Sequence, residues 1–232
     1  MVDSYHDDTY VAYLDISGFS EMMKDLDSAG RVMDNFFATI YGFCEQHNTT
    51  LPKICMIVAF DCAALFTRNR NQSDKLNGLL KMLTFVKQAN RHFIMGNRSQ
   101  PFMTTCSIAY GYFDYEDRPE LADLRKNYVF GRPYLDAVLD QKKGKPKIRA
   151  GECRLLTKKI PRLGQFRNDS LLSFVLRRGD HRYFYWMLND PKQQHDFDRD
   201  YLVAYKSKRP DNYSRMIQVL QRYINHDSPA MH

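Results

Sequence analysis

The sequence lacks a long apolar run and a paired cysteine motif. A membrane-spanning helix needs about 18 consecutive apolar residues, and no stretch approaches that length. The polar, acidic start MVDSYHDDTY does not resemble a signal peptide. The five cysteines are odd in number and have no CxxC spacing: Cys44, Cys55, Cys62, Cys106 and Cys153. These features argue against a zinc site or a disulfide framework and predict a cytoplasmic protein with no membrane partner.

Positive charge is present without a recognised nucleic-acid motif. The 232 residues carry a net charge of +7, and much of the excess follows residue 124, in QKKGKPKIR, TKKIPR, LRR and YKSKR. Two interpretations stay open: solvated loops and helix faces, or attraction to a polyanion such as a nucleoside triphosphate or a nucleic acid. Because no zinc-finger spacing or similar motif supports binding to a nucleic acid, we expect no nucleic-acid partner.

The first half of the chain has the pattern strand, helix, hairpin, helix, strand. Residues 10–16 predict a strand, and apolar residues at three- and four-residue spacing over 33–44 predict a long helix. The apolar run at 54–66 is too long for most single strands and predicts a hairpin with Asp61 near its turn. A second amphipathic helix over 76–93 precedes the predicted strand FMTTCSIAYGYF.

The second half adds further elements to this pattern. NYVFGRPYLDAVLDQKKG predicts a short strand, Gly131 and a helix, while residues 153–157, RYFYWML and YLVAY predict strands. A final helix is expected near 211–225. The order predicts an α+β fold, with a ferredoxin-like βαββαβ palm core and extra C-terminal strands and helix.

Two aspartates interrupt apolar stretches where strands end. Asp15 closes the first predicted strand and Asp61 lies in the hairpin, so neighbouring strands would bring the two carboxylates together. Like charges held close raise each other's pKa, and a bound divalent cation removes that conflict. Either aspartate alone could be a cap or a turn residue. The pair, in this order, favours a metal site of the kind used for phosphoryl transfer.

The turn that follows Asp15 also suits a phosphate group. ISGFS leads into a helix, whose first N–H groups lack partners within the helix and favour phosphate. Gly18 allows the backbone to approach a ligand closely.

Four segments resemble the class III nucleotidyl cyclases, over about residues 8–145. YLDISGFSEMM is similar to their first metal-binding segment and VAFDCAALF to their second. CSIAYGYF resembles their central strand, and NYVFGRPYLDAVLDQ resembles their dimer arm, in which a glycine precedes a helix. The resemblance implies the palm fold of that family and a single catalytic domain over 1–232, with a core of about 8–160 and an elaboration of about 161–232.

The resemblance also implies a reaction, its metals and a partner subunit. Asp15, Asp61 and the Ile16 carbonyl would hold two divalent cations, Mn²⁺ or Mg²⁺. The ribose 3′-hydroxyl of a nucleoside triphosphate would attack the α-phosphate, and pyrophosphate would leave. The segment Ser17, Gly18, Phe19 and Ser20 would neutralise the triphosphate. Because family members build each site from two subunits, a head-to-tail homodimer is implied.

Departures from the family pattern concern base recognition. Adenine-specific members have a lysine and an acid or threonine at positions that here hold Ile57 and Tyr128, so the purine-reading pair is missing. The usual asparagine and transition-state arginine fall at Leu135 and Leu139. Asp136 is then a candidate for holding a ribose hydroxyl, and Arg132 is the nearest candidate to stabilise charge in catalysis.

A small cyclase without the purine pair resembles the bacterial pyrimidine cyclases of the Pycsar antiphage system. That resemblance implies cyclic UMP or, less favoured, cyclic CMP as product, acting on a separate effector protein. Three alternatives stay open: a purine cyclase, a non-catalytic palm domain that binds nucleotide or a partner, and a basic nucleic-acid-binding domain.

Overall fold

The computed structural model describes residues 4–68, 72–96, 100–121, 124–157, 160 and 169–225, without side chains for 72–76 and 117–128. Its elements, in chain order, are β1 (Ser4–Ile16), α1 (Phe19–Met22), α2 (Leu26–His47), β2 (Lys53–Ala59), β3 (Cys62–Arg68), α3 (Gln72–Arg91), β4 (Thr104–Leu121), β5 (Leu124–Gly131), α4 (Arg132–Lys143), β6 (Cys153–Leu155), β7 (Val175–Arg178), β8 (His181–Phe184), α5 (Gln194–Lys206) and α6 (Asn212–Asn225). The mixed α+β architecture and the βαββαβ core agree with the sequence-based prediction.

One mixed sheet organises the described strands in the order β2-β3-β1-β4-β6-β8-β7. β1 is antiparallel to both β3 and β4, and β6 is parallel to β4. β5 folds back on the far part of β4 as a long hairpin. The central strand β1 therefore lies between the β2–β3 hairpin, which carries Asp61, and β4, whose far part forms the β4–β5 hairpin.

The two faces of β1 follow from the alternation of side chains along a strand. Ala12, Leu14 and Ile16 belong to the main core, which also contains the apolar sides of α2 and α3. Tyr13 points to the opposite face, where it packs in a cluster with Ala137 of α4. Asp15 has the same parity as Tyr13 and therefore lies on the α4 face.

Two of the predicted C-terminal strands are wrong or too long. YLVAY is part of helix α5, because Phe197, Tyr201 and Ala204 recur at helical spacing and are buried. Phe197 stacks on Tyr201 with ring centroids 5.1 Å apart, and its edge meets Tyr223 of α6. The five residues of YLVAY alone are too few to show this helical period. RYFYWML continues as a strand only to Phe184.

The remaining C-terminal predictions hold with small changes of boundary. The strand expected at 153–157 is β6, and the final helix is α6 with an apolar face of buried residues. Among the cysteines, Cys44, Cys106 and Cys153 are buried. In the part of the chain that the structure describes, no helix has the length and apolar content to cross a bilayer.

Candidate functional site

The pairing of β1 with β3 brings the two aspartates to one edge of the sheet. Asp15 lies opposite Cys62, the first residue of β3, and the Ile16 N–H donates to the Asp61 carbonyl over 2.9 Å. Asp61 occupies the tight turn between β2 and β3, next to Phe60, which is 83% exposed and has a φ of 54°. The expected convergence of these two positions is therefore present.

At this edge of the sheet, a negative charge on Asp15 is unfavourable beside Asp61. Burial and the neighbouring charge of Asp61 raise the pKa of Asp15 to about 6, while Lys142 acts in the opposite direction. A divalent cation between the two carboxylates would remove this repulsion, and oxygen ligands of this kind suit Mg²⁺ and Mn²⁺. The residues present thus fit a metal site made by Asp15, Asp61 and the Ile16 carbonyl.

The turn after Asp15 differs in one respect from the expectation. Gly18 has a φ of 79°, which favours glycine, and the helix that follows it is the single turn α1. The long helix α2 begins only at Leu26, where the Asp25 side chain accepts from the Ser28 N–H. The expected phosphate-binding helix start is therefore not present at this turn, because α1 is only four residues long.

A hydrogen-bonded ring fixes the turn against the rest of the molecule. The Ser17 N–H donates to the Met103 carbonyl over 2.9 Å, and the Met103 N–H donates to the Tyr213 hydroxyl oxygen over 3.0 Å. The Tyr213 hydroxyl in turn donates to the Ser17 carbonyl over 3.2 Å. Because Tyr213 lies on α6, the C-terminal helix buttresses the segment beside Asp15.

A cavity of about 430 Å³ opens beside Asp15. One side is formed by Asp15, Ser17 and Gly18 of the first segment. The rest of its lining is Tyr13, Thr105, Gln141, Lys142, Lys147, Ile148, Arg149, Ala150 and Tyr205. The volume lies in the range of small-molecule sites, and cationic side chains outnumber the carboxylate.

The predicted substrate-binding residues of the first segment separate into two groups. Ser17 and Gly18 line the cavity. Phe19 packs against the main core, and Ser20 is exposed. The Ser17 hydroxyl oxygen is buried and has no hydrogen-bond partner among the described residues. A buried hydroxyl without a partner is unfavourable, so a ligand that gave this group an acceptor would be stabilised by it.

Helix α4 is bonded to the strands at the base of the cavity. The Gln141 side chain donates to the carbonyls of Tyr13 and Thr105, over 2.6 and 3.3 Å, and accepts from the Thr105 hydroxyl over 2.9 Å. These contacts set the position of Lys142, the next residue, relative to Asp15.

A buried ion pair holds the chain that follows α4. The Arg154 guanidinium binds both carboxylate oxygens of Asp140, at 2.6 and 2.9 Å, and donates to the Pro146 carbonyl over 2.6 Å. Gly144 lies in the same cluster, where a Cβ would meet the Asp140 carbonyl at 2.2 Å. Such bidentate pairs restrict geometry strongly. The ion pair thus restrains the loop that carries Lys147.

Arg149 is held by a second buried carboxylate. Its backbone N–H and its Nε donate to Glu152, over 2.9 and 2.6 Å, and Arg178 binds the same carboxylate at 2.8 Å. The Arg149 guanidinium also lies 5.8 Å from the ring centres of Tyr201 and Tyr205. Arg178 also binds Asp198 at 3.1 Å, so this cluster holds Arg149 at the cavity through paired charges.

Two of the predicted residues lie on a different side of α4. Arg132 Nε binds Asp136 Oδ1 at 2.7 Å, and the Arg132 side chain is 66% exposed. Both line another cavity, of about 510 Å³, together with Leu139. Within one chain they are therefore not at the Asp15 cavity. Their catalytic and ribose-binding roles stay predictions that need a second subunit.

The predicted base-recognition residues have an apolar setting where they are described. Ile57 borders a small gap of about 40 Å³ together with Tyr13, Val129 and Tyr134. The backbone of Tyr128 pairs with Glu116 in the β4–β5 hairpin, but its side chain lies outside the described residues. The position of Ile57 therefore offers no hydrogen bond to a base edge.

A separate group of possible metal ligands lies at the far end of β1. His6 pairs in register with Asp114, and ligand atoms of His6, Asp114 and Glu116 lie within 4.8 Å of one another. At about 3.3 Å per strand residue, this group is roughly 30 Å from Asp15 along the strand. It is distinct from the aspartate pair.

Comparisons with known proteins connect this geometry with a fold. No family model matches the sequence, and no curated protein matches it. The guanylate cyclase domain of RhGC from Catenaria anguillulae, solved with GTP, is 9% identical over 66% of this chain and 79% of its own, with a TM-score of 0.52. The catalytic core of a rhodopsin-guanylyl cyclase with converted specificity, in complex with ATPαS, is 8% identical over 67% and 79%, with a TM-score of 0.51.

A third solved structure has the same likeness. It is a dimeric guanylyl cyclase domain of the RhoGC fusion protein from the aquatic fungus Blastocladiella emersonii, 9% identical over 66% of this chain and 80% of its own, with a TM-score of 0.51. At these identities the likeness establishes the fold alone. The chain has the palm fold of class III nucleotide cyclase catalytic domains.

Sequence reasoning missed the cationic side of the cavity. Lys142, Lys147 and Arg149 all come from QKKGKPKIR. The sequence shows the positive charge of this run but not where the run lies in the fold. Attraction to a polyanion was one of its two interpretations. What the sequence could not provide was the turn after α4 that directs this run towards Asp15. Tyr205 was also missed, because its helix was predicted as a strand.

Proposed function

We propose that this chain is a nucleotidyl cyclase that converts UTP, or less favourably CTP, to the 3′,5′-cyclic monophosphate and pyrophosphate. The single observation that carries the proposal is the pair formed by Asp15 at the end of β1 and Asp61 in the adjacent β2–β3 turn of a cyclase-type palm, beside a cavity lined by cationic side chains. In the proposed biological setting, the cyclic nucleotide is a second messenger of antiphage defence and acts on a separate effector protein.

The chemistry needs positioning more than covalent catalysis. Bound at Asp15, Asp61 and the Ile16 carbonyl, two divalent cations would supply charge neutralisation and a lower pKa for the 3′-hydroxyl. The 3′-oxygen forms a bond to the α-phosphorus, the bond to the β-phosphate breaks, and the hydroxyl proton passes to solvent. The chain's own contribution is to hold the polyphosphate in line and to exclude alternative geometries.

The proposed preference for a pyrimidine base rests on the lack of a hydrogen-bonding side chain at position 57. Ile57 has an apolar setting and cannot donate to or accept from a base edge. A site without such groups loses the discrimination that a purine reader provides. A pyrimidine has one ring and needs less room, and this supports UTP or CTP over a purine nucleotide. The side chain of Tyr128 is proposed to narrow the base pocket.

A head-to-tail homodimer is part of the proposal. Arg132, Asp136 and Leu139 lie away from the Asp15 cavity of their own chain. Exposed apolar side chains accompany them on the arm and on α4: Tyr112, Phe130, Leu135 and Leu139. Such a surface is typical of an interface. A second copy would bring these residues to the partner's site.

The test is a product assay with each of the four nucleoside triphosphates. Purified protein is incubated with ATP, GTP, CTP or UTP and Mn²⁺, and products are identified by mass, with the variant Asp61→Asn as the control. Cyclic UMP or cyclic CMP from the wild type alone is the expected result. Cyclic AMP or cyclic GMP would overturn the base assignment and retain the mechanism.

A second candidate function is a non-catalytic nucleotide-binding palm domain. It is favoured by Leu139, an apolar residue where the family's arginine would fall. This candidate predicts no product from any triphosphate, and binding of nucleotide that still depends on the cavity. The product assay therefore separates it from the cyclase.

A further inference from the structure

We propose that Lys142, Lys147 and Arg149 bind the terminal phosphates of the nucleotide within the same chain that provides Asp15. This inference rests on the proposed function for the identity of the ligand, a nucleoside triphosphate. It assigns the polyphosphate end of the site to the last two residues of α4 and the loop that follows, here called the basic segment (residues 142–149). The first segment, Ser17 to Ser20, contains no cationic side chain.

The cationic side chains of the cavity favour an anionic ligand. Its lining contains three cations and the carboxylate of Asp15, and of the three cations only Arg149 is paired with a further described carboxylate, that of Glu152. Neither Lys142 nor Lys147 makes an ion pair with a described residue, although Lys142 lies close enough to lower the pKa of Asp15. Concave sites lined by one sign of charge concentrate ligands of the other sign. A triphosphate matches this excess, whereas a neutral ligand would leave it uncompensated.

The basic segment is held in place before any ligand binds. Arg154 fixes the loop through Asp140 and the Pro146 carbonyl, and Glu152 fixes Arg149 through two hydrogen bonds. Both supporting side chains, Arg154 and Glu152, are almost completely buried. Because the supports are rigid, cations on this segment lose less freedom on binding than side chains on a free loop.

The opposite side of the cavity supplies an independent observation. The Ser17 side chain is 9% exposed, and its hydroxyl oxygen has no partner among the described residues. Ser17 lines the same cavity as the three cations. A phosphate bound in this cavity would give the Ser17 hydroxyl an acceptor and would also accept from the cations. The residues around the cavity thus include both the charge and the unsatisfied donor that a phosphate would use.

The assignment also answers the loss of the family's arginine at Leu139. When the bond between the α- and β-phosphates breaks, negative charge develops on the leaving pyrophosphate. Cations already aimed at the terminal phosphates stabilise that charge without reorganising. The basic segment would therefore supply leaving-group stabilisation from the chain's own loop.

Direct binding of inorganic tripolyphosphate tests the inference without turnover. Isothermal titration calorimetry in Mg²⁺ buffer compares wild type, Lys142→Gln and Lys147→Gln, with Lys143→Gln as the matched control. Lys143 is the neighbouring lysine on α4 and lines the other cavity. Because hydrogen bonds to charged groups are individually strong, we expect tripolyphosphate to bind about tenfold more weakly in each test variant. The control should remain within about twofold of wild type.

The same variants separate this inference from the proposed function. The Michaelis constant for UTP should rise in Lys142→Gln and Lys147→Gln, while UMP, which lacks the terminal phosphates, should bind equally to all four proteins. If wild type forms a cyclic nucleotide but both variants bind tripolyphosphate normally, the inference fails and the function stands. If no triphosphate yields product but tripolyphosphate binding is lost in the variants, the inference stands and the cyclase fails.

Discussion

At the scale of single residues, Asp15 is a charged group in an unfavourable place. Its carboxylate is partly buried, and burial together with Asp61 raises its pKa to about 6. Functional sites often contain groups whose charge is costly in the unliganded protein, because the ligand relieves that cost. Asp15 and Asp61 fit this description if a cation lies between them.

The substitution Asp15→Asn should separate stability from metal binding. A neutral amide removes the repulsion with Asp61, so we expect the metal-free protein to be folded and no less stable than wild type. The stabilisation by Mn²⁺ should be lost. In wild type it is expected to reach about 2.7 kcal/mol when Mn²⁺ is at 100 times its dissociation constant. Thermal unfolding with and without Mn²⁺ measures both effects.

A control for this experiment removes the same charge elsewhere. Asp27 lies exposed in the first turn of α2, and Asp27→Asn should retain the full response to Mn²⁺. Equal stabilisation of wild type and Asp15→Asn by Mn²⁺ would contradict the metal site.

At the scale of elements, helix α6 positions the segment beside Asp15. Tyr213 closes the hydrogen-bonded ring with Ser17 and Met103, and burial raises the pKa of its hydroxyl to about 12. The group therefore stays protonated and donates at every physiological pH. This contact gives part of the C-terminal elaboration, whose role the sequence left open, a position next to the site.

Removing the Tyr213 hydroxyl should weaken metal-dependent activity more than stability. Tyr213→Phe leaves the Met103 N–H and the Ser17 carbonyl without this partner, at a cost of about 1 kcal/mol in the free energy of unfolding. Groups that orient metal ligands from behind typically change metal affinity or activity by about tenfold or more. We therefore expect a Mn²⁺ requirement about tenfold higher, measured from the metal dependence of product formation.

Tyr223 offers a matched control on the same helix. Its hydroxyl donates to Asp200 over 3.1 Å, away from the metal-binding segment. Tyr223→Phe should have a similar effect on stability and none on the metal requirement. A Tyr213→Phe protein with the Mn²⁺ dependence of wild type would show that the ring has only a structural role.

The elements also show which sequence signals were sufficient. The hairpin around Asp61 and the helix that carries Ala137 were predictable, because both have a clear apolar period and a turn residue. α5 was not, since its period is visible only from Phe197 to Ala204, beyond the run YLVAY. Propensity within a short window favoured a strand, and tertiary packing on α6 decided for a helix.

From the sequence, only those site residues could be predicted whose positions follow from the pairing of neighbouring strands. Asp15 and Asp61 follow from strand pairing, a local and regular relation. Lys147 and Tyr213 do not, because their positions depend on a buried ion pair and on a helix that docks from far along the sequence. Such contacts leave no spacing pattern in the sequence. The sequence therefore indicated the basic charge but not that it lies beside Asp15.

At the scale of the whole molecule, the proposed dimer can be tested by complementation. Asp15→Asn and Arg132→Ala should each be inactive alone. Mixed dimers, formed by refolding equal amounts together, contain one intact site. Random pairing gives half mixed dimers with one of two sites intact, so we expect about a quarter of wild-type activity. Product formation from UTP measures the recovery.

The control for complementation combines two defects of the same half-site. Asp15→Asn mixed with Asp61→Asn should recover nothing, because both substitutions damage the same half. An inactive mixture of Asp15→Asn and Arg132→Ala would contradict a site shared between subunits.

The ring closed by Tyr213 has a consequence for the time at which the site is completed. Tyr213 and Ser17 are 196 residues apart in sequence. At about 5–20 residues per second, a ribosome needs roughly 10–40 s to travel from one to the other. From residue 149 onwards the nascent chain contains both aspartates and the basic segment, yet the turn after Asp15 still lacks its contact with the Tyr213 hydroxyl. If the proposed function holds, activity is expected only after the last helix docks, and an unfinished chain would make no signal.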